Sequence, residues 1–309
     1  MDTIKTLIII ARLNFYPIII FSIFSSIVSI SSALSIKNEF RSFAIIAPKE
    51  KANDLNINSF MGSGAGLGSL LTGGLVNSDF DISMELLESN MFLGDFVEDK
   101  YVEILAAEGW DSKNGKLIID DRDYNLTEQK WIRKARSPWG ILPSREEAVK
   151  KFKTKNFDLQ IDRRNNIVTV GITSYSPEIA KNWADQIIRQ LDNKVRQRDL
   201  SEATEALEYL NVRLSRKDIS MDVRNTLARL VQRYEQTILL ANLNREYAFE
   251  LIDPPFIPLQ KSKPTRSIIT IGIFSFLTFP FFISLLILFN FNYKIALVKG
   301  FKPSLTKID

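Results

Sequence analysis

Two stretches of this chain go uncharged for longer than an ordinary core helix needs. Leu13 to Ile36 runs for 24 residues without a charge, and Ser267 to Tyr293 runs for 27. Crossing a hydrocarbon core takes roughly 20 apolar residues, so both are read as membrane spans. Lys5 and Arg12 precede the first stretch, and small residues lie near Ser31 and Ala33, as in a signal peptide. Its apolar length, however, exceeds the roughly 7–15 residues of a signal core, which favours a retained span. Pro280 lies inside the second stretch, and a membrane helix tolerates proline where neighbours satisfy the freed carbonyl. Two spans put both termini on one side and residues 37–266 on the other. The tails, 1–12 and 294–309, are short and are placed in the cytoplasm.

The net charge of +4 and pI near 9.0 suggest a polyanionic partner at first sight. The distribution of charge removes that suggestion, because residues 37–266 hold 34 Lys and Arg against 34 Asp and Glu. The excess sits on the tails, next to the spans. A nucleic-acid-binding domain concentrates basic residues in its folded part, so no nucleic-acid partner is expected. Cysteine and histidine are both absent. This excludes thiolate catalysis, disulfides, histidine-ligated metals and a Ser-His-Asp triad within the chain. Six of the 13 glycines fall between Gly62 and Gly74. They match no phosphate-loop spacing, and no lysine follows Gly73-Gly74 as a P-loop requires. No cofactor is expected. Asp120, Asp121 and Asp123 offer oxygens for a hard cation, but aspartates after a strand usually mark a solvated turn.

Hydrophobic spacing supplies the elements of the large segment. FRSFAIIAP (40–48), KLIID (116–120), FDLQI (157–161) and IVTVGIT (167–173) read as strands, the last two joined as a hairpin through residues 163–166. Asp81 to Glu108 has helical spacing. Ser176-Pro177-Glu178 is a helix start, with a capping serine and proline in the first turn. Ile179, Trp183, Ile187, Leu191 and Val195 then form a stripe at intervals of four, and RQRDLSE (196–202) interrupts it without any helix breaker. Leu207, Leu210 and Leu214 resume the stripe. A helix unbroken to Lys217 would be about 60 Å long and would project from its body. Val223, Leu227, Leu230, Tyr234 and Ala241 suit an antiparallel partner helix. After Tyr247 the sequence returns to strand character at AFELIDPP. The expected fold is therefore α+β: two transmembrane helices (13–36 and 267–293) flank an α/β base (37–175 with 249–253) that carries a long helical hairpin or bundle (176–248).

Three groups of residues stand out as candidates for packing or recognition. Ser22, Ser25, Ser26, Ser29 and Ser32 share one face of the first span, where small hydroxyl residues allow helices to approach closely. Pro254, Pro255, Pro258 and Pro264 have fixed φ and make residues 254–266 a stiff, extended connector. Residues 81–129 carry 13 acidic and four basic side chains, whereas 130–155 carry nine basic and two acidic. That basic block is Lys130, Arg133, Lys134, Arg136, Arg145, Lys150, Lys151, Lys153 and Lys155. It suits an acidic glycan, or pairing with the acidic block within one chain or between neighbours.

The segment NTLARLVQRYEQTILLANLNREYAFELIDPPFIPLQKSKPTR (225–266), leading into a second span, resembles the Wzz-type chain-length determinants, or polysaccharide co-polymerases. The resemblance rests on LAN (240–242), EYAF (246–249) leading into IDPP (252–255), and the proline-rich run ending in Lys263-Pro264-Thr265-Arg266. FRSFAIIAP, the glycine-rich stretch and VTVGITSYSPEIAKNWAD (168–185) agree more weakly. The chain departs from the family in having Ser262-Lys263-Pro264 where Ser-Pro-Lys is common. It also has one glycine, Gly272, where two spaced glycines are common in the second span, with Phe276 four positions on.

The resemblance implies a non-enzymatic, two-pass protein of the bacterial inner membrane, with its main domain in the periplasm. It implies ring-like homo-oligomers acting with a separate integral-membrane polymerase, and with growing lipid-linked polysaccharide, to set the modal length of a surface polysaccharide. That polysaccharide is commonly lipopolysaccharide O antigen. The nearest alternative is a capsule or exopolysaccharide export adaptor of the same superfamily. Such proteins commonly have longer coiled-coil insertions or a tyrosine-kinase domain, and only 16 residues follow Tyr293. That short tail also leaves no room for the output domain of a two-span sensor. A membrane-tethered glycosidase would need paired carboxylates in a cleft.

Overall fold

The computed structural model describes residues 14–49, 76–134, 138–216, 218–290, 293–298 and 302–307. The glycine-rich stretch, Arg136 and the N-terminal tail lie outside the described residues. In chain order the elements are α1 (Phe15–Ser35), β1 (Phe40–Pro48), α2 (Val76–Glu88), α3 (Asn90–Val97), α4 (Tyr101–Leu105), β2 (Ala107–Asp111) and β3 (Lys116–Ile119). Next come β4 (Tyr124–Asn125), β5 (Lys130–Trp131), α5 (Arg145–Lys151), a π-helical turn (Phe152–Asn156), β6 (Phe157–Asp162) and β7 (Ile167–Ser174). The chain continues through α6 (Pro177–Leu214), α7 (Met221–Leu243), β8 (Phe249–Asp253), α8 (Arg266–Asn290), β9 (Tyr293–Val298) and β10 (Lys302–Lys307). These elements form two compact units, Met1–Asn38 with Ser262–Asp309, and Glu39–Lys261.

The larger unit is built on an antiparallel sheet in the order β6–β7–β1–β8. The first and last strands of the unit are therefore neighbours. Alternation along β1 buries Ser42, Ala44 and Ile46, and β7 buries Val168, Val170 and Ile172. On α6, Trp183, Ala184, Ile187, Leu191 and Val195 belong to the same core. Two periodicities, of two in the strands and 3.6 in the helix, thus supply one apolar layer between sheet and helix. On β1 Arg41 pairs with Asp158 of β6. Gly171 leaves room for that guanidinium, because a Cβ there would lie 2.9 Å from Arg41 Nε.

The 38 residues of α6 make it about 57 Å long. Ser176 starts it as expected, its hydroxyl accepting from Ile179 N at 3.3 Å, with Pro177 in the first turn. Replacing Ser176 by alanine should lower stability by about 1 kcal/mol, the usual worth of such a cap, with urea denaturation of the full-length protein in detergent as the measurement. Helix α7 packs along α6 as its partner. Leu227, Leu230 and Tyr234 are half-buried and Ala241 is buried, whereas Val223 near the far end is exposed.

The helical reading of residues 81–108 needs correction. Ser89 interrupts it, accepting from Phe92 N at 3.1 Å to start a new helix, and α4 stops at Leu105. Residues 107–111 then pair with β3 as a strand. The Asn114-Gly115 turn, with Gly115 at φ +63, reverses the chain, and the Asp111 carboxylate accepts from Lys113 N at 2.9 Å. The hairpin β6–β7 forms as expected around Asn166, at φ +52. Asp162 holds its turn by accepting from Arg164 N and the Asn165 amide, which draws its carboxyl below the usual carboxylate range. The Asp120 carboxylate is similarly occupied by Arg122, through backbone N, Nε and a terminal guanidinium nitrogen at 2.9, 2.9 and 2.7 Å. No cluster of candidate metal ligands occurs among the described residues.

Candidate functional site

The smaller unit pairs α1 with α8. Phe21 and Phe281 stack with ring centroids 4.1 Å apart, and Ser25, Ser29 and Ala33 are buried at one-turn intervals. Thr278 and Leu285 are buried on α8. Of the other serines on the candidate stripe, Ser22 and Ser26 are half-buried and Ser32 is exposed. Gly272 is exposed, and a Cβ there would meet no atom within 4 Å. Burial on α1 therefore follows Ser25, Ser29 and Ala33 rather than all five serines. Only 17% of the α1 window and 11% of the α8 window is buried, with Ile20, Phe24, Ile27, Phe276 and Phe279 among the outward residues. Core helices of a soluble protein would be mostly buried; these suit an apolar solvent. Arg266, at the start of α8, donates to Asn38 Oδ1 at 3.1 Å. Beyond α8, β9 and β10 form an antiparallel hairpin where the sequence suggested only a short tail.

Three of the four connector prolines belong to the larger unit. Residues 254–258 are non-helical and continue from β8, with Pro255 and Pro258 buried and Pro254 exposed. This segment is tied to β1: Ser42 Oγ donates to Phe256 O at 2.7 Å, and the Phe256 ring meets Phe43 edge-on at 5.4 Å. Pro264 lies in the smaller unit, half-buried, after a cis peptide bond.

The EYAF motif has a clear structural setting. As the chain leaves α7 for β8, Asp192 of α6 accepts from Tyr247 N, Ala248 N and Phe249 N at 2.9, 2.7 and 3.4 Å. Its second oxygen meets Arg196 at 3.0 Å, and Arg196 also donates to Arg245 O at 2.6 Å. Two turns along α6, Asp199 Oδ2 accepts from the Tyr247 hydroxyl at 2.8 Å, while Oδ1 meets Arg198 at 3.0 Å. Asp192 and Asp199 are 8% and 7% exposed. A buried carboxylate is tolerated only when its charge is met by donors; here the returning backbone and Arg196 serve Asp192, and the Tyr247 hydroxyl and Arg198 serve Asp199. Asp199 lies in the RQRDLSE interruption and Asp192 beside Leu191 of the stripe; their role was missed in sequence, and two aspartates on the buried face of a helix were the available signal.

The basic block is dispersed by folding. Arg133 makes a two-pronged pair with Glu147 at 2.5 and 2.6 Å, its guanidinium lying 5.5 Å from the Trp131 ring centre. Lys151 points inward, donating to Leu105 O at 3.0 Å, and burial pushes its ammonium below the usual lysine range. Lys130 and Lys134 are exposed. Arg145, Lys150 and Lys153 line a groove of about 710 Å³ between α3 and α5 with its π-helical turn. Asn90, Met91, Asp95, Glu146, Val149 and Thr154 complete it. Gly94 makes room for Arg145, which bonds to Asp95 and to Met91 O at 2.6 and 2.7 Å.

No protein-family model matches the chain, and no curated protein matches it. Among solved structures, a full-length bacterial polysaccharide co-polymerase matches at 17% identity and a TM-score of 0.34, covering 89% of this chain and 96% of that one. A fragment of WzzB, a polysaccharide co-polymerase from Salmonella Typhimurium, matches at 12% identity and a TM-score of 0.31, over 73% of this chain and all of the fragment. A point mutant of the Shigella flexneri lipopolysaccharide O-antigen chain-length regulator matches at 16% identity and a TM-score of 0.24, over 72% of this chain and all of the other. These solved structures, to which the chain is similar, are polysaccharide co-polymerases and a chain-length regulator, the family that its own sequence resembles.

Proposed function

We propose that this protein is a membrane-anchored scaffold that regulates the modal chain length of a surface polysaccharide, acting as a homo-oligomer beside a separate integral-membrane polymerase. The observation that carries the reading is the order of parts. Two lipid-suited helices bracket a domain whose first and last strands pair, and that domain bears a 38-residue helix with an antiparallel partner. Pairing of β1 with β8 brings the chain's path into the domain and its path out to neighbouring strands. The sequence resemblance across EYAF, IDPP and the proline run supports the same conclusion. In this reading the protein is not an enzyme: it works through oligomer geometry, by limiting polymerase access or processivity. Its domain faces the periplasm and both termini face the cytoplasm.

Deletion with complementation tests the function, read as a gel of surface polysaccharide. Loss of a modal length with polymer still made is the expected result. Complete loss of surface polymer with material retained inside would point to an export adaptor instead, and an unchanged ladder would reject both roles. Topology has its own test. Reporter fusions at residues 120 and 305 should report opposite sides of the membrane; the same side for both would refute two spans.

A further inference from the structure

We propose that the groove between α3 and α5 binds an oligosaccharide segment bearing carboxylate groups, with Lys150 and Lys153 as the residues that recognise its charge. This inference rests on the chain-length reading for its choice of ligand, and on the groove itself for its chemistry.

The groove gathers Arg145, Lys150 and Lys153 of the basic block on one surface, whereas Lys130, Lys134 and Lys155 are exposed outside it. Arg133 is consumed by Glu147 and Lys151 by a backbone carbonyl, so neither faces a ligand. Within the groove, Arg145 is neutralised by Asp95 at 2.6 Å. Lys153 donates to the neutral Asn90 Oδ1 at 2.8 Å, and Lys150 lies 5.9 Å from the Trp139 ring centre. Neither lysine makes an ion pair among the described residues, so two positive charges face the single carboxylate of Glu146. Hydrogen bonds to neutral groups leave an ammonium's charge uncompensated, and an anionic group entering the groove would supply charge-assisted bonds.

The remaining lining suits a sugar. Asn90 and Thr154 offer an amide and a hydroxyl, and Met91, 69% exposed, presents an apolar surface of the kind the C–H face of a pyranose ring can cover. A volume of about 710 Å³ falls within the range of pockets that enclose small ligands, roughly 300–1,000 Å³. The groove thus places an exposed methionine beside two lysines that lack an ion pair among the described residues. A negatively charged, partly apolar ligand would engage both.

The test is titration of the full-length protein in detergent with oligogalacturonate, beside a neutral dextran oligosaccharide of equal length. Oligogalacturonate should bind, its affinity should fall as salt is raised, and dextran should bind far more weakly. The double variant Lys150→Glu with Lys153→Glu should weaken binding by about tenfold or more, equivalent to roughly 1.4 kcal/mol or more. Lys150 is exposed, and Lys150→Gln alone should weaken binding less while leaving thermal unfolding unchanged. Equal binding of dextran, no binding of oligogalacturonate, or affinity indifferent to charge reversal would each overturn the proposal. In the complemented deletion strain, the double variant should shift the modal length at unchanged protein level. An unshifted ladder there, with modal control still lost in the deletion, would sink the groove proposal and leave the chain-length role standing.

Discussion

Replacing Asp192 by alanine should be among the most destabilising single changes in the larger unit, at about 3–5 kcal/mol. The substitution removes the acceptor for Tyr247 N, Ala248 N and Phe249 N and leaves Arg196 without its carboxylate. A buried amide without a partner costs about 1–3 kcal/mol, so several orphaned together dominate over the loss of one attractive pair. Asp192→Asn is the informative comparison. Its amide oxygen can still accept from the backbone, while the charge that faces Arg196 is gone, so its loss should be clearly smaller. Urea unfolding of both variants in detergent, followed by tryptophan fluorescence, measures the difference. Equal losses for alanine and asparagine would show that the charge, rather than the backbone bonds, holds the turn. Tyr247→Phe, which removes only the hydroxyl bonded to Asp199, should cost about 1 kcal/mol.

Trp183→Ala is the second large effect, again expected at about 3–5 kcal/mol. Trp183 is 6% exposed, and its ring lies 6.3 Å from Phe96 and 6.0 Å from Phe152, centroid to centroid. Phe96 and Phe152 are themselves 5.2 Å apart and fully buried. The indole thus fills the junction of α6 with α3 and the π-helical turn, and alanine would leave a cavity between aromatic walls that cannot collapse onto it. Trp183→Phe keeps most of the volume and should cost under about 2 kcal/mol. Thermal unfolding separates the two. A loss below 1 kcal/mol for alanine would mean that this junction is not closely packed. Because the groove wall is built on α3 and the π-helical turn, the alanine variant should also loosen oligogalacturonate binding, whereas Trp183→Phe should not.

Much of the secondary structure was legible because its signals are local. The stripe Ile179, Trp183, Ile187, Leu191 and Val195 marks a helix whatever lies opposite, and the density of strand formers in FRSFAIIAP marks a strand. The break at Ser89 was harder to read. Serine within an apolar pattern is compatible with a helix interior as well as with a cap, and the choice depends on what the next turn packs against. Residues 107–111 became a strand only because Lys116–Ile119 folds back to supply its hydrogen bonds. Candidate residues separated in a similar way. Nine basic side chains in 26 positions look equivalent in sequence, but folding gives Arg133 to a glutamate, Lys151 to the interior, and Lys150 and Lys153 to a groove.

The sequence by itself determined the two lipid-suited helices, the 38-residue helix and its partner, and the return to strand at residue 249. Each follows from the length or period of a contiguous apolar pattern, and length and period are properties of neighbouring residues. Only the tertiary structure decided that β1 lies between β7 and β8, and that Asp192 meets the backbone 55 residues later. It alone decided which cations of the basic block stay available. Those outcomes depend on which distant group arrives to satisfy a strand edge, a buried carboxylate or an ammonium. A linear sequence specifies the demand for a partner, and the packed chain settles which partner meets it.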